Sequence, residues 1–274
     1  MEWYKLTFRQ KEPIHIGSLS WGVINQTLTF IPGWTIWGAL TKAYNISKGE
    51  NLSYNQELFE NITCFYPTIH EKNSTPLFPQ YKNGTLHFDN YPEDQFRCEF
   101  TDTLVSTSIV TESRSAKEES LHETEILLNR GKIDGKELYW TGLLGIDTNI
   151  APKIEAFLKK GLKIYVGADA RYGFGCLELI HIVLASENEL VEWSIKDRDN
   201  IIQGNSKNEV VIKNFLEFDK NLNFEGELTL LAEFNFQKNT PEIKEAKYFI
   251  TPGSKVLNLQ LKDYKLKKGK LYKK

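Results

Sequence analysis

Apolar and polar positions at the start of the chain change period in a readable way. Tyr4, Leu6 and Phe8 alternate with polar neighbours, the two-residue repeat of a half-buried strand. A glycine-containing stretch at 13–22 reads as a first loop and holds His15, Gly17 and Ser18. Phe30-Ile31-Pro32-Gly33 closes an extended segment. Trp37, Leu40 and Tyr44 then fall at i, i+3 and i+7 beside Ala39 and Ala43, which predicts a helix over about 34–44. Residues 45–99 lose both periods and collect Asn, Pro and aromatic residues around the turn pairs Tyr66-Pro67, Phe78-Pro79, Asn83-Gly84 and Tyr91-Pro92. They read as an insertion with a short helix near 56–61 and a hairpin about Asn83-Gly84. A loop of this length favours a functional or partner-facing role.

Patterning returns at residue 100. Residues 100–111 are rich in Thr, Val and Ile and read as a strand, 112–120 as a polar hairpin tip, and 124–128 as the next strand. Leu138, Trp140, Gly142 and Leu144 alternate as another. Pro152 suits a first helical turn, Ile154, Phe157 and Leu158 give that helix an apolar face, and Gly161 ends it. Strands at 162–166 and 176–185 flank Gly167–Gly175. Beyond residue 190 the pattern is mainly β, with Leu228, Leu230, Ala232, Phe234 and Phe236 on one face of the clearest strand.

Strand, helix, strand pair, strand, helix, strand, glycine loop and strand is an α+β order. It predicts the ferredoxin-like β-α-β-β-α-β plan with additions. Residues 1–190 form that core, with the insertion at about 45–99, and residues 191–274 form a β-rich C-terminal extension with a basic tail. An antiparallel sheet covered by helices on one side leaves a surface that RNA-binding domains of this kind use.

Charge alters this picture only locally. A net charge of −2 removes any whole-chain basic signal for nucleic acid. Lys262–Lys274, however, carries seven lysines against one aspartate, a run able to follow a phosphate backbone or simply to solubilise a frayed end. Cys64, Cys98 and Cys176 are too far apart for a metal knuckle and read as reduced thiols in a cytoplasm. No metal or cofactor is implied. The N-terminus lacks a signal-peptide pattern, and no apolar run approaches the roughly 18–20 residues of a membrane span.

Gly167–Gly175 is the sharpest local feature. Three glycines permit positive φ and close backbone approach, free N–H groups in such a loop can cradle phosphate, and Arg171, Tyr172 and Phe174 add charge and stacking surface. A tight turn that merely needs glycine is the alternative. A strand follows and no Gly-Lys-Ser/Thr appears, so neither the dinucleotide nor the Walker pattern applies.

The segment Gly167-Ala168-Asp169-Ala170-Arg171-Tyr172-Gly173-Phe174-Gly175-Cys176-Leu177-Glu178-Leu179 resembles the glycine-rich loop of the CRISPR-associated RAMP superfamily. Two other stretches agree with it. Ile14-His15-Ile16-Gly17-Ser18, followed by Phe30-Ile31-Pro32-Gly33-Trp34 and then Gly38-Ala39-Leu40, is similar to the family's first strand, loop and "IPG…GAL" helix start. Ser113-Arg114-Ser115-Ala116-Lys117, Leu121-His122-Glu123-Thr124-Glu125 and Trp140-Thr141-Gly142 are similar to its thumb hairpin and following strand. The resemblance spans roughly residues 3–185. It implies a modified RNA-recognition fold holding guide RNA (crRNA) in a multi-subunit effector complex. Gly167, Arg171, Gly173 and Gly175 would lie against the RNA backbone and Arg114, Lys117 and His122 on or near the thumb. Gly17, Ser18 and Lys42 would meet phosphates from the first loop and helix. Tyr172, Trp34 and Trp37 are stacking candidates, with core packing preferred for Trp37.

Backbone subunits that cut target RNA usually carry an Asp before the "IPG" segment and a "GSSLKG" helix start. Residues 18–29 contain no acidic residue, and the helix start here is Trp34-Thr35-Ile36-Trp37-Gly38. The aromatic insertion and β-rich C-terminal region look more like the subunit that caps the five-prime tag of the guide in type III-D or type VII complexes. Its partners would be guide RNA, other effector subunits (especially a backbone RAMP subunit) and possible target RNA, with no membrane. The alternatives are a backbone subunit and a guide-processing endoribonuclease. The latter needs a general base and acid, for which His15 and His122 are the candidates. His181 reads as a core residue, and His70 and His87 as surface groups of the insertion. Asp169 reads as a turn former. Glu123 and Glu125 share a strand face and read as thumb structure or a solvated face.

Overall fold

The computed structural model describes residues 1–69, 71, 75–195, 209–235, 240–257 and 264–274. His70, Phe236 and Lys262, all noted in the sequence, lie outside them.

β1 (Glu2–Gln10) forms where the Tyr4/Leu6/Phe8 alternation predicts it and becomes the middle strand of the main sheet. The chain then makes a hairpin, β2 (Gly17–Trp21) and β3 (Ile24–Thr27), turning on Gly22 at φ 59°. Much of the stretch expected as a loop is therefore strand. Leu19 and Trp21 alternate there with Ser18 and Ser20, but all five residues of β2 are exposed, so neither face of the strand enters the core. α1 (Gly33–Lys48) continues past Tyr44 and ends on Gly49 at φ 67°.

Within 45–99, a 3₁₀ turn occupies Gln56–Phe59. Strands β4 (Tyr66–Thr68), β5 (Pro79–Lys82), β6 (Thr85–Phe88) and β7 (Tyr91–Pro92) precede α2 (Glu93–Phe100). β5 and β6 turn on Asn83 (φ 52°) and Gly84 (φ 81°), the hairpin expected from that dipeptide. β4 and α2 are not evident in the sequence. β4 is three residues long and carries a proline, tolerable because it is the edge strand beyond its partner. α2 buries Phe96, Glu99 and Phe100 on a single short face.

β8 (Thr101–Ser106), β9 (Ile109–Val110), β10 (Ser115–Ala116) and β11 (His122–Leu127) follow. Then come β12 (Tyr139–Ile146), α3 (Ala151–Phe157), β13 (Lys163–Tyr165), β14 (Cys176–Leu184) and α4 (Glu187–Glu192). The main sheet runs β13-β14-β1-β12-β4, and all its neighbouring strands are antiparallel. Along the chain its members and the helices among them come as strand, helix, strand, helix, strand, helix, strand pair, with α2 interposed between β4 and β12. The fold is α+β, with far more strand than helix.

The C-terminal region adds β15 (Glu209–Val211), β16 (Phe215–Glu217), β17 (Asn223–Glu225), β18 (Leu228–Asn235), β19 (Glu242–Ile250), β20 (Lys255–Leu257), β21 (Tyr264–Lys267) and β22 (Lys270–Lys273). They form a three-stranded sheet, β15-β20-β17, and a five-stranded one, β18-β19-β16-β22-β21. One aromatic and aliphatic core runs through both regions: Trp34 packs on Phe215 with ring centres 4.9 Å apart, and Phe78 on Trp193 at the same distance. Among the described residues no helix is long and apolar enough to cross a membrane.

Candidate RNA interface

A second sheet, β2-β3-β11-β8, carries the segment expected as a thumb. β11 pairs parallel to β3 and antiparallel to β8. Beyond it β9 and β10 form a small hairpin in which Arg114 takes φ 52°. The Lys117 N–H donates to the Ser108 carbonyl (2.8 Å), and the Ser120 hydroxyl donates to the Lys117 carbonyl (2.7 Å), closing the tip. Arg114, Lys117 and His122 are all exposed there, and one ring nitrogen of His122 lies 3.1 Å from the Ser120 carbonyl. Three of the expected residues thus share one arm.

The arm has an apolar face that the sequence does not announce. Trp21 sits opposite Ile24, Ile24 opposite Glu123, and Glu123 opposite Val105, so the four share one face across four strands. Trp21 is 67% and Val105 63% exposed. No one strand shows this surface in its sequence, because it forms only by cross-strand register. Gly17 and Ser18 lie at the start of β2, exposed, as strand residues rather than loop residues.

Glu125 anchors the base of the arm. It accepts hydrogen bonds from Arg97 (2.7 Å), the Thr27 N–H (3.0 Å) and the Thr101 hydroxyl (3.3 Å), while Arg97 also reaches Glu93 (2.8 Å). The Glu123/Glu125 pair is therefore one exposed-side carboxylate and one structural buckle. His15 belongs to the same joint. Its ring is buried, and Nδ1 lies 2.7 Å from the Glu125 carbonyl.

The glycine loop packs against this joint. Gly167, Gly173 and Gly175 have φ of 76°, 87° and 87°. A side chain at Gly167 would strike the His15 carbonyl, and one at Gly175 the Val166 carbonyl. The Ala168 N–H donates to His15 (2.9 Å) and the Gly175 N–H to Pro13 (2.8 Å), so those two donors are spent on the chain itself. Gly167 and Gly175 are required for close backbone approach. What the loop offers outward is a 3₁₀ turn, Ala170–Tyr172, with Arg171 exposed and Tyr172 82% exposed. Asp169, at φ 57°, accepts from the Tyr172 N–H through its carbonyl, the turn role read from sequence.

Two expected contact surfaces are covered. The sheet face bearing Lys5, Thr7, Arg9, Thr141 and Tyr66 is roofed rather than free. Lys5 pairs with Glu189 of α4, Arg9 with Glu71 (3.4 Å) and Glu137 (3.5 Å), and Trp193 packs on Tyr66. His181, on β14, sits 4.0 Å from Glu71 at this surface. The start of α1 is closed as well. A Cβ at Gly33 would lie 2.6 Å from Gly269, whose N–H donates to the Ile62 carbonyl (2.7 Å). The "IPG" glycine thus serves the docking of the β21–β22 hairpin. Trp34 and Trp37 hold that hairpin too. Lys268 lies 3.6 Å over the Trp37 ring, whose N–H donates to the Gln56 carbonyl (2.7 Å), and Lys270 sits over Trp34 (5.2 Å).

The basic tail is accordingly folded where it is described. Lys267 and Lys268 pair with Glu60 (3.2 and 3.3 Å), Lys270 with Glu233 (3.3 Å) and Lys273 with Asp219 (2.8 Å). The local lysine excess is partly answered by carboxylates distant in sequence. Cys64, Cys98 and Cys176 are free, and burial pushes the Cys64 thiol up to about 12. Among the described residues no group of three or more His, Cys, Asp or Glu is placed to hold a metal ion.

Lys42, on the exposed side of α1, and Arg171 line one concavity between α1, α3 and β13. The structure therefore divides the expected residues into an arm (Arg114, Lys117, His122, with Gly17 and Ser18 on its edge strand), a cationic concavity (Lys42, Arg171) and a structural joint (His15, Gly167, Gly175).

No protein-family model matches the chain, and no curated protein matches it. Solved structures do. The chain is similar to a chain in the cryo-EM structure of the type III-B Cmr-beta bound to cognate target RNA and AMPPnP. There the TM-score is 0.61 at 17% identity, covering 93% of this chain and 86% of that one. A chain of the Cmr-beta bound to cognate target RNA aligns with a TM-score of 0.58 at 16% identity, covering 92% and 86%. At these identities the likeness establishes a fold shared, over nearly the whole chain, with a chain of the type III-B Cmr-beta structures.

Proposed function

We propose that this chain is a guide-RNA-binding structural subunit of a type III-like CRISPR effector complex, a RAMP protein with a ferredoxin-like core, and that it caps the five-prime tag of the guide. The observation that carries the reading is the near full-length fold likeness to chains of effector structures holding target RNA. The projecting arm with exposed Arg114, Lys117 and His122 supports it, as does the sequence resemblance of the arm and glycine loop. RNA binding rests on the arm and on Arg171 and Tyr172, with Gly167 and Gly175 supporting the loop from within. The chain itself turns over no RNA.

The test is binding of a guide bearing its repeat-derived tag against a guide without it, across a range of salt. Capping requires tighter binding of the tagged guide. Arg114→Ala with Lys117→Ala, and separately Arg171→Ala, should weaken binding. The salt slope should fall by about 1 for each phosphate that is no longer neutralised. Equal affinity for both guides would remove the capping role. Cleavage of repeat RNA that His122→Ala abolishes would replace the structural role with an enzymatic one.

A further inference from the structure

The concavity between α1, α3 and β13 has a volume of about 560 Å³. That is within the range of about 300–1,000 Å³ typical of sites that enclose small organic groups. Its wall is apolar. Ala39, Ala43 and Ile46 follow the i, i+4, i+7 spacing along α1, and Phe157 ends α3 opposite them. Ala39 at its floor belongs to the core, but Ile46 is 62% exposed and Tyr165, on β13, is 50% exposed, so the rim of this wall is open to solvent.

Its charge is one-sided. Lys42, Lys163 and Arg171 line it and no carboxylate does, in a chain whose acidic residues outnumber basic ones by 36 to 34. Among the described residues no ion pair engages any of the three. Glu178, opposite Lys163 in the sheet, is instead paired with Lys11 at 3.7 Å. Unneutralised cations around an open apolar wall call for a ligand with a flat apolar body and a negative group. Two of the cations come from elements far apart in sequence, and the third from the outward turn of the glycine loop. The cluster is therefore a product of the fold and not of a local lysine run.

We propose that this concavity holds one unstacked nucleotide of single-stranded RNA, its base against α1 and Tyr165 and its phosphate held by Lys42, Lys163 and Arg171. The proposal rests on the RNA-binding reading above and adds to it a pocket beside β13, the edge strand of the main sheet, apart from the arm. Base contact with apolar and aromatic side chains tolerates any base, whereas a duplex offers no unstacked base to insert.

The probes are a labelled single-stranded oligouridine and a duplex RNA of the same length, titrated against the full chain. Ala43→Trp fills the concavity, and Lys163→Glu reverses one charge on an exposed strand residue without touching the core. Circular dichroism checks that both remain folded. Each variant should lose about tenfold in affinity for the single strand and keep its affinity for the duplex. RNA carrying 4-thiouridine should cross-link to a peptide containing Tyr165. If the unaltered chain binds single-stranded RNA and both folded variants bind it equally well, the pocket proposal fails while the arm reading stands. If the unaltered chain binds no RNA, both fail. If Ala43→Trp instead removes a protein partner and leaves RNA affinity unchanged, the pocket is a protein site and the proposal is overturned.

Discussion

Single residues here have roles that their type announces but their place redefines. The glycines of 167–175 are readable in the sequence as positions of special backbone. For Gly167 the reason is not, because it lies in the carbonyl of His15, about 150 residues earlier in the chain. Gly167→Ala should therefore cost stability directly, at least about 2 kcal/mol from strain plus collision. Gly22→Ala, at φ 59° with open space around it, should cost about 1 kcal/mol from strain alone. Urea denaturation of both variants measures the difference, and equal costs would contradict the close approach. Lys213 carries no signal in the sequence. Desolvation lowers its ammonium to about 8, over the ring of Phe78 at 3.8 Å. In the unfolded chain it returns to about 10.4. Below pH 8 both states hold the proton and the folded state carries the desolvation cost. Between pH 8 and 10 the unfolded chain keeps a proton the folded chain has given up, so this group makes stability rise with pH, by up to about 3 kcal/mol in all. Lys213→Met should abolish that rise. A variant with the same pH profile as the original would show that Lys213 titrates normally.

Elements differ in how far their own sequence specifies them. The Asn83-Gly84 hairpin is local chemistry, and it forms where the dipeptide requires. α1 is found by its apolar stripe, although its closed start depends on Gly269 from the far end of the chain. β4 and α2 escape a reading by period because one is three residues of edge strand and the other eight residues anchored by Phe96 and Phe100. The arm shows the same contrast. Its tip is legible in Arg114, Lys117 and His122, while its apolar row of Trp21, Ile24 and Val105 exists only through register. The arm's attachment is concentrated in Glu125, which gathers β3, α2 and β8 onto β11. Glu125→Ala should destabilise the protein by about 2–3 kcal/mol through the removal of charge-assisted hydrogen bonds. Amide exchange should speed up first in 17–27 and 122–127. Uniform acceleration across the main sheet would mean that the arm is not a separate unit.

The whole molecule presents one further surface of consequence. Leu228, Leu230, Ala232 and Phe234 share a face of β18, as their alternation implies, but that face is open to solvent. It is continued by Tyr248, Ala246 and Ile243 across β19. β18 is also the edge of its sheet. An apolar sheet face at an open edge suits a protein neighbour, in keeping with the subunit role proposed above. Leu230→Glu with Tyr248→Glu should leave the chain folded and its own RNA affinity intact while removing co-purifying subunits. Retention of every subunit would place the contact elsewhere.

The most direct measurement is to purify the chain from cells that co-express its neighbouring genes and to sequence the RNA that accompanies it. Short RNAs sharing one repeat-derived five-prime tag are the expected result. A folded chain that emerges with its protein partners and without RNA would contradict guide binding and leave a protein-interaction module in its place.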